Sequence, residues 1–231
     1  TPAELRDGVR LACQVKVRGD VRLHVKEEYL YVQQFRAAVE SARMLTHDTR
    51  EIRLQLLEPG SIDFRPGQYV QVLVPDQAEA VFRAYSISSP PGLAGAIELI
   101  VRLVPGGLAS TWLHQVRPGE EVVFTGPYGD FDPGEREQSH LACIGGGCGM
   151  APLKAIIEHA LQAWPRRRCS LYFGARAARD VLYLDEFRQA AQERDGFSVH
   201  YALSEPEAHD GWHGETGLIH TLVEKHLPEG E

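Results

Sequence analysis

The sequence has few of the features that mark several common classes of protein. Its 231 residues include four cysteines, and no two of them form a C-x-x-C pair. This spacing favours a reducing cytosol over a disulfide framework. No apolar run approaches the roughly 18 residues of a membrane-spanning helix, and residues 1–20 contain no signal-peptide core. Basic residues are outnumbered, so the net charge is −8, and neither nucleic acid nor an anionic membrane surface is an expected partner.

The first part of the chain has the pattern of short β-strands. Residues 9–25 alternate apolar and polar side chains around a Gly19-Asp20 turn, which predicts a hairpin. Residues 35–132 contain strand-like runs separated by glycine and proline, for example EIRLQLL, QYVQVLVP, IELIVRLV and EEVVFTG. Runs of this kind are typical of an antiparallel barrel or sandwich.

Strands and helices alternate in the second part of the chain, after a polar linker at 134–137. HLACI (140–144), CSLYFGA (169–175) and FSVHYALS (197–204) are predicted strands. The predicted helices are APLKAIIEHALQA (151–163), VLYLDEFRQAAQE (181–193) and GLIHTLVEKHL (217–227). Such alternation indicates a parallel α/β sheet. Doubly wound domains usually have about five or six strands, so a final strand is expected to be missing.

A glycine-rich segment, IGGGCGMAP at 144–152, lies between a predicted strand and a predicted helix. Glycine lets a phosphate approach the backbone closely, and the free N–H groups at a helix start attract anions. The spacing differs from G-x-G-x-x-G because Met150 stands where the third glycine would fall. The segment therefore indicates a nucleotide-binding loop, with a tight turn that binds nothing as the alternative.

A second possible anion site is PGGLASTWL at 105–113. Gly106 and Gly107 precede Ser110 and Thr111, whose hydroxyls can cap a short helix. Backbone N–H groups and hydroxyls would together surround an anion. The alternative is a plain loop that ends in a helix cap.

The segment RAYS, at 83–86, ends a predicted buried strand. Arg83 could pair with a phosphate, Tyr85 could stack on a flat ring, and Ser86 could hydrogen-bond its polar edge. The alternative is an exposed arginine beside a half-buried core tyrosine. An anion site in each half of the chain suggests two nucleotides that meet at a cleft between domains.

Five motifs, in this order, resemble the ferredoxin–NAD(P)⁺ reductase-like flavoproteins: R-A-Y-S (83–86), G-G-L-A-S-T (106–111), G-P-Y-G-D-F (126–131), G-G-G-C-G-M-A-P (145–152) and Y-F-G-A-R (172–176). V-R-G-D (17–20), A-L-S-E-P (202–206) and W-H-G-E-T-G-L-I-H (212–220) resemble, within that family, the flavin subunits of sodium-translocating NADH:quinone reductases. The resemblance covers about residues 33–231. It implies an antiparallel Greek-key FAD-binding β-barrel at 33–134 and a doubly wound NAD(P)H-binding α/β domain at 138–231.

The resemblance also implies roles for single residues. Arg83 would hold the FAD pyrophosphate, while Tyr85 and Ser86 would be catalytic residues at the isoalloxazine and near its N5. The other residues implied for the FAD site are Ile100, Arg102, Gly107, Leu108, Ala109, Ser110 and Thr111. Those implied for the NADH site are Gly145, Gly146, Gly147, Gly149, Pro152, Arg176, Asp180, Ser204, Glu205 and Pro206.

The activity implied is transfer of hydride from NADH to FAD, followed by transfer of electrons to a [2Fe-2S] centre in a ferredoxin domain or a quinone-reducing complex. The chain would then be cytoplasmic, or at the cytoplasmic face of the inner membrane through its parent complex. A soluble NADH-dependent reductase component of an oxygenase is the first alternative. A non-catalytic flavoprotein that binds nucleotides without turnover is the second.

The chain departs from the family pattern at both ends. Residues 1–30 resemble the end of a plant-type ferredoxin domain, in which Cys13 would be the fourth [2Fe-2S] ligand. The C-x₄-C-x₂-C run that supplies the other three ligands does not precede it, so we expect a fragment of a longer protein and no cluster in this chain. The C-G-P motif of the family's last strand is also missing, which bears on turnover more than on FAD binding.

Two further expectations depend on charged residues and histidines. Arg176 and Arg179 could bind the 2′-phosphate of NADPH, but Asp180 and Glu186 oppose this, and the resemblance favours NADH. The spacing of the histidines matches no standard metal site; the histidines in question are His47, His114, His140, His159, His200, His209 and His213.

Overall fold

The computed structural model describes residues 6, 8, 16–22, 24, 32–75, 77–134, 139–207 and 209–227. The chain divides into two compact units, Thr1–Tyr31 and Val32–Glu231. Cys13 and most of the hairpin and ferredoxin remnant predicted before residue 31 lie outside the described residues. The architecture that follows is that of the second unit.

Six antiparallel strands form one sheet in the order β4-β3-β6-β1-β2-β5. The strands are β1 (Gln33–Met44), β2 (Thr49–Glu58), β3 (Tyr69–Val74), β4 (Val81–Ser86), β5 (Ala96–Arg102) and β6 (Glu121–Tyr128). An antiparallel bridge between Ile87 and Leu99 joins the two edge strands and closes the sheet. The predicted antiparallel barrel is therefore confirmed.

The barrel closes around side chains that alternate along its strands. In β3, Val70, Val72 and Val74 are buried and the residues between them are half-buried, which is the period-two pattern of a strand with one face in a core. The rings of Phe35 and Phe124 stack in this core with their centroids 5.1 Å apart. A short helix, α1 (Leu108–Leu113), connects β5 to β6.

Four parallel strands form the second sheet, in the order β10-β9-β8-β7. Its elements are β7 (Leu141–Gly146), α2 (Met150–Ala163), β8 (Cys169–Ala175), α3 (Leu184–Glu193), β9 (Phe197–Leu203), β10 (Glu215–Thr216) and α4 (Ile219–His226). The predicted parallel α/β sheet is confirmed. Sequence analysis missed β10, because two residues are too few to show a period.

Helix α3 begins three residues later than predicted. A 3₁₀ turn at Ala178–Asp180 precedes it, and Tyr183 adopts a left-handed backbone with φ 54°. The Tyr183 hydroxyl donates a hydrogen bond of 2.5 Å to Glu51 of β2, so the irregular start of the helix anchors it to the barrel.

A buried lysine also joins the two sheets. Lys154 of α2 lies 2.9 Å from a carboxylate oxygen of Glu98 in β5 and 3.1 Å from one of Glu158. A buried ammonium requires such partners because its charge is costly to remove from water. None of the helices among the described residues has both the length and the apolar character needed to cross a bilayer.

Candidate functional site

A cleft of about 470 Å³ opens at the carboxyl ends of β7, β8 and β9, where it faces the barrel. Ligands of open parallel sheets bind at this end of the strands. The α/β side of the lining consists of Gly146, Gly147, Cys148, Gly174, Ala175, Arg176, Asp180, Leu182, Ser204, Gly217, Leu218 and Ile219. Asp48, Thr49 and Arg102 of the barrel complete it.

The glycine loop presents an open backbone to this cleft. Gly147 has φ +52°, and a Cβ at that position would meet nothing within 4 Å. A Cβ on Gly146 would come within 2.8 Å of the Gly174 carbonyl oxygen on the neighbouring strand. The loop continues through a 3₁₀ turn into the 14-residue helix α2, whose first N–H groups have no partners within the helix. This backbone fits the phosphates of a dinucleotide.

Five of the residues predicted for the NADH site lie along the cleft: Gly146, Gly147, Arg176, Asp180 and Ser204. The other five, Gly145, Gly149, Pro152, Glu205 and Pro206, are not part of its lining. Gly145 packs beneath α2, where a Cβ would come 2.7 Å from a Leu153 methyl. The Glu205 N–H donates to the Arg176 carbonyl at 2.8 Å and so links the loops that follow β9 and β8.

An ion pair forms the barrel wall of the cleft. Arg102 Nε lies 2.7 Å from Asp48 Oδ2, and the hydroxyls of Thr46 and Thr49 donate to the same carboxylate. Burial raises the pKa of Asp48, but the hydrogen bonds from these three residues outweigh it and hold the pKa below its usual range. Sequence analysis assigned Arg102 to the flavin and overlooked Asp48, because an acid in a four-residue turn resembles an ordinary turn residue.

The RAYS segment occupies the end of β4. Tyr85 is half-buried against the barrel core, whereas Arg83 is exposed and donates to the Phe82 carbonyl at 2.8 Å. Arg83 forms no ion pair with any other described residue. Burial raises the pKa of Tyr85, Arg83 lowers it and Cys148 raises it, so Tyr85 is close enough to the glycine loop to interact with it electrostatically.

The loop before α1 is held by its own hydrogen bonds. Ser110 Oγ accepts from the Val104 N–H at 3.1 Å, and the Gly107 N–H donates to the Val104 carbonyl at 2.8 Å. A Cβ on Gly107 would come 2.7 Å from Ser110 Oγ. The buried Ser110 hydroxyl therefore shapes the loop, and the groups left to meet an anion are the backbone N–H groups of the first turn, at Leu108 and Ala109. Thr111 is half-buried in the same helix.

Ile100 differs from the other residues predicted to contact the flavin. It is 3% exposed and packs in the hydrophobic cluster of the α/β sheet with Leu153 and Met150. Cys148, which sequence analysis set aside, instead lies on the cleft, and its sulfur interacts with the Arg102 backbone N–H. Its position follows from the meeting of β5 and the glycine loop, which sequence spacing does not show.

Two family descriptions match the chain. "Oxidoreductase FAD-binding domain" covers residues 36–132, and "Oxidoreductase NAD-binding domain" covers residues 143–231. The first matches the barrel region and the second matches the region of the parallel sheet and the cleft.

Curated relatives are named as one of the subunits of "Na(+)-translocating NADH-quinone reductase". The Colwellia psychrerythraea protein is 31% identical over 99% of this chain and 88% of its own length. The Pseudomonas aeruginosa protein is 31% identical over 96% of this chain and 64% of its own length. The chain thus spans just under two thirds of the Pseudomonas relative.

Solved structures have the same fold. The Amycolatopsis cytochrome P450 reductase GcoB matches with a TM-score of 0.76 and 34% identity, over 87% of this chain and 60% of that one. The ferredoxin reductase in carbazole 1,9a-dioxygenase matches with a TM-score of 0.70 and 30% identity, over 86% and 58% of the two chains.

Proposed function

Because this chain belongs to the ferredoxin reductase-like family of FAD- and NAD-binding oxidoreductases, we propose that it is the module that transfers hydride from NADH to FAD and passes electrons to a [2Fe-2S] centre. Its relatives among the subunits of Na(+)-translocating NADH-quinone reductase support this assignment. The supporting structural observation is the cleft in which the glycine loop after β7 meets Arg102 of the barrel.

The barrel residues are suited to hold FAD at one side of this cleft. Exposed Arg83 offers a positive charge to the pyrophosphate, and Tyr85 offers a ring face on which the isoalloxazine stacks, with Ser86 beside it. Residues 107–111 add backbone N–H groups. When bound, FAD supplies the redox chemistry, while the chain binds and aligns the two nucleotides.

The α/β residues are suited to hold NADH rather than NADPH. A 2′-phosphate requires free basic side chains, but Arg176 Nε lies 3.6 Å from Asp180 and an Arg179 nitrogen lies 3.8 Å from Glu207. These acidic neighbours oppose a phosphate at the same place. Glycines 146 and 147 would receive the pyrophosphate of NADH.

The [2Fe-2S] centre that accepts the electrons is proposed to lie in a longer parent chain or a partner. Cys13 lies outside the described residues, and the C-x₄-C-x₂-C run is absent from the sequence. On this proposal residues 1–30 are the end of a ferredoxin domain, and any association with a membrane occurs through the parent complex.

A soluble reductase component of an oxygenase is the second candidate. GcoB is 34% identical and the carbazole dioxygenase reductase is 30% identical to this chain, which is comparable with the identity of the quinone-reductase relatives. The two candidates share the cleft and differ in the electron acceptor.

An anaerobic titration tests the shared step. The purified chain, loaded with FAD, is mixed with NADH under argon while the flavin absorbance is followed. We expect the oxidised-flavin bands to bleach with NADH and to bleach much more slowly with NADPH. Bands that persist would favour a non-catalytic nucleotide-binding protein, and a chain that retains no FAD would refute the barrel site. Supplying a ferredoxin or a quinone as acceptor then separates the two candidates.

A further inference from the structure

Three potential metal ligands converge beside the far end of helix α4, outside the cleft lining. They are His200 of β9, Glu215 of β10 and His226 in the last turn of α4. One ligand atom from each lies within 4.8 Å of the other two, and all three residues are half-buried. We propose that these residues form a binding site for a divalent transition-metal ion, with Zn²⁺ as the representative ion.

The strand order and the helix bring these residues together. β10 pairs with β9 in parallel, with Glu215 opposite Ala202, two residues beyond His200. Helix α4 then returns across the sheet and packs on β8 and β9. The His200 ring stacks between Tyr172, at 4.8 Å, and His226, at 4.4 Å between ring centroids. This packing holds the two imidazoles side by side.

The hydrogen bonds leave ligand positions available. His226 Nε2 lies 2.5 Å from Glu215 Oε1, and Lys225 Nζ lies 2.6 Å from Glu215 Oε2. A metal ion would take the place of the proton shared by Nε2 and Oε1, while Lys225 would keep orienting the carboxylate through Oε2. Within the described part of the chain, the His200 ring makes no hydrogen bond, so its nitrogens are available to a ligand.

Two imidazoles and a carboxylate are a ligand set that Zn²⁺ accepts, with water in the remaining position. Donor atoms around one tetrahedral zinc lie about 3.4 Å apart, since each Zn–ligand distance is about 2.1 Å. The present separations therefore require only small side-chain rotations, which half-exposed side chains permit. An oxygen-only site would instead favour Mg²⁺ or Ca²⁺.

Occupation of this site would fix both ends of α4. Its first residue, Ile219, lines the cleft and packs over Gly174, where a Cβ would come 3.1 Å from Ile219 Cβ. His226, at the other end, would be tied through the metal to β9 and β10. A metal ion that binds the folded chain and not the unfolded one stabilises it by mass action, so Zn²⁺ should raise the melting temperature.

Calorimetric titration of the FAD-loaded, metal-free chain with Zn²⁺ tests the proposal. The chain is used without a histidine tag, and Co²⁺ absorbance gives a second readout of the ligand set. We expect one Zn²⁺ per chain and a higher melting temperature. His200→Ala and His226→Ala should each weaken binding by at least about tenfold, because each removes a direct ligand. His220→Ala is the matched control, since His220 is exposed on the same helix and should leave the affinity unchanged.

The other histidine-containing cluster gives the competing outcome. Glu207, His209 and Asp210 also lie within reach of one ion, and His209 and Asp210 are more exposed. Affinity that falls with His209→Ala and survives in the His200 and His226 variants would overturn the proposal, as would a wild-type chain that binds no Zn²⁺. If His200→Ala unfolds by circular dichroism, His226→Ala at the helix end decides, because loss of that ligand leaves the Tyr172–His200 stack in place.

Discussion

Arg102 and Asp48, 54 residues apart in the sequence, meet at 2.7 Å on the barrel side of the cleft. The pair brings the end of β5 to the turn between β1 and β2, and Asp180 of the α/β part lies near enough to raise the pKa of Arg102 further. Arg102 is thus the positive charge placed between two carboxylates at a site proposed to receive an anionic dinucleotide.

Replacing Arg102 should weaken NADH binding more than it weakens the fold. In Arg102→Gln, Asp48 and Asp180 lose their cationic partner, and their negative charge opposes NADH. Steady-state kinetics should show a rise in KM for NADH of roughly tenfold, by analogy with a lost charged hydrogen bond of about 1.4 kcal/mol or more. Arg36→Gln breaks another exposed ion pair, with Glu121 at 2.8 Å, and should leave KM unchanged. Equal effects in both variants would remove Arg102 from the NADH site.

Tyr85→Ala should weaken FAD retention. The loss of ring stacking is expected to cost about 1–3 kcal/mol, by analogy with base–aromatic stacking. The flavin-to-protein ratio is measured after dilution and gel filtration. Tyr85→Phe keeps the ring and should retain flavin, so a Tyr85→Ala chain that retains it equally well would show that Tyr85 is only a core residue.

Arg83→Ala should release FAD without unfolding the apoprotein. Arg83 is exposed and donates a hydrogen bond to the neighbouring Phe82 carbonyl, so its loss costs the fold little, whereas a phosphate left without its cation loses a strong interaction. Flavin affinity and the free energy of unfolding of the apoprotein are measured together. Arg117→Ala, at another exposed arginine, is the control. A parallel fall in stability and affinity would contradict a specific phosphate role.

Gly147→Val should block reduction by NADH while FAD stays bound. Gly147 has φ +52° and faces open space, so valine strains the backbone and fills the position proposed for the pyrophosphate. Gly211→Val is a matched control, since Gly211 has φ +62° and equally open surroundings but does not line the cleft. Flavin bleaching by NADH is the readout. Normal bleaching in Gly147→Val would place the nucleotide elsewhere.

The stabilising effect of Asp48 should depend on pH. Because the pKa of Asp48 is lowered in the folded chain, its contribution is fully present above the unfolded pKa, about 3.9, and is lost as the pH falls through the folded pKa. Denaturant unfolding of wild type and Asp48→Asn should therefore show a difference in free energy at neutral pH that shrinks below about pH 4. A difference that stays constant down to acid pH would mean that the carboxylate charge contributes nothing.

The proposed metal ligands lie too far apart in the sequence to be found from it. His200, Glu215 and His226 are separated by 15 and 11 residues and lie on two strands and a helix, so no local spacing joins them. Along the sequence His209 and His213 are close neighbours, whereas His200 and His226 come together only through strand pairing and the return of α4.

The sequence by itself determined the two layers of the fold and the glycine loop. Alternation in runs such as β3, the change to strand–helix alternation after residue 138, and glycines at positions that need a positive φ or a close approach are local requirements, and local patterns record them. The tertiary structure alone decided which of the predicted residues meet. Strand pairing places Asp48 against Arg102, β5 against the Cys148 loop, and Ile100 in the core instead of at an open site, because packing depends on register and closure over long separations, which sequence periodicity does not encode.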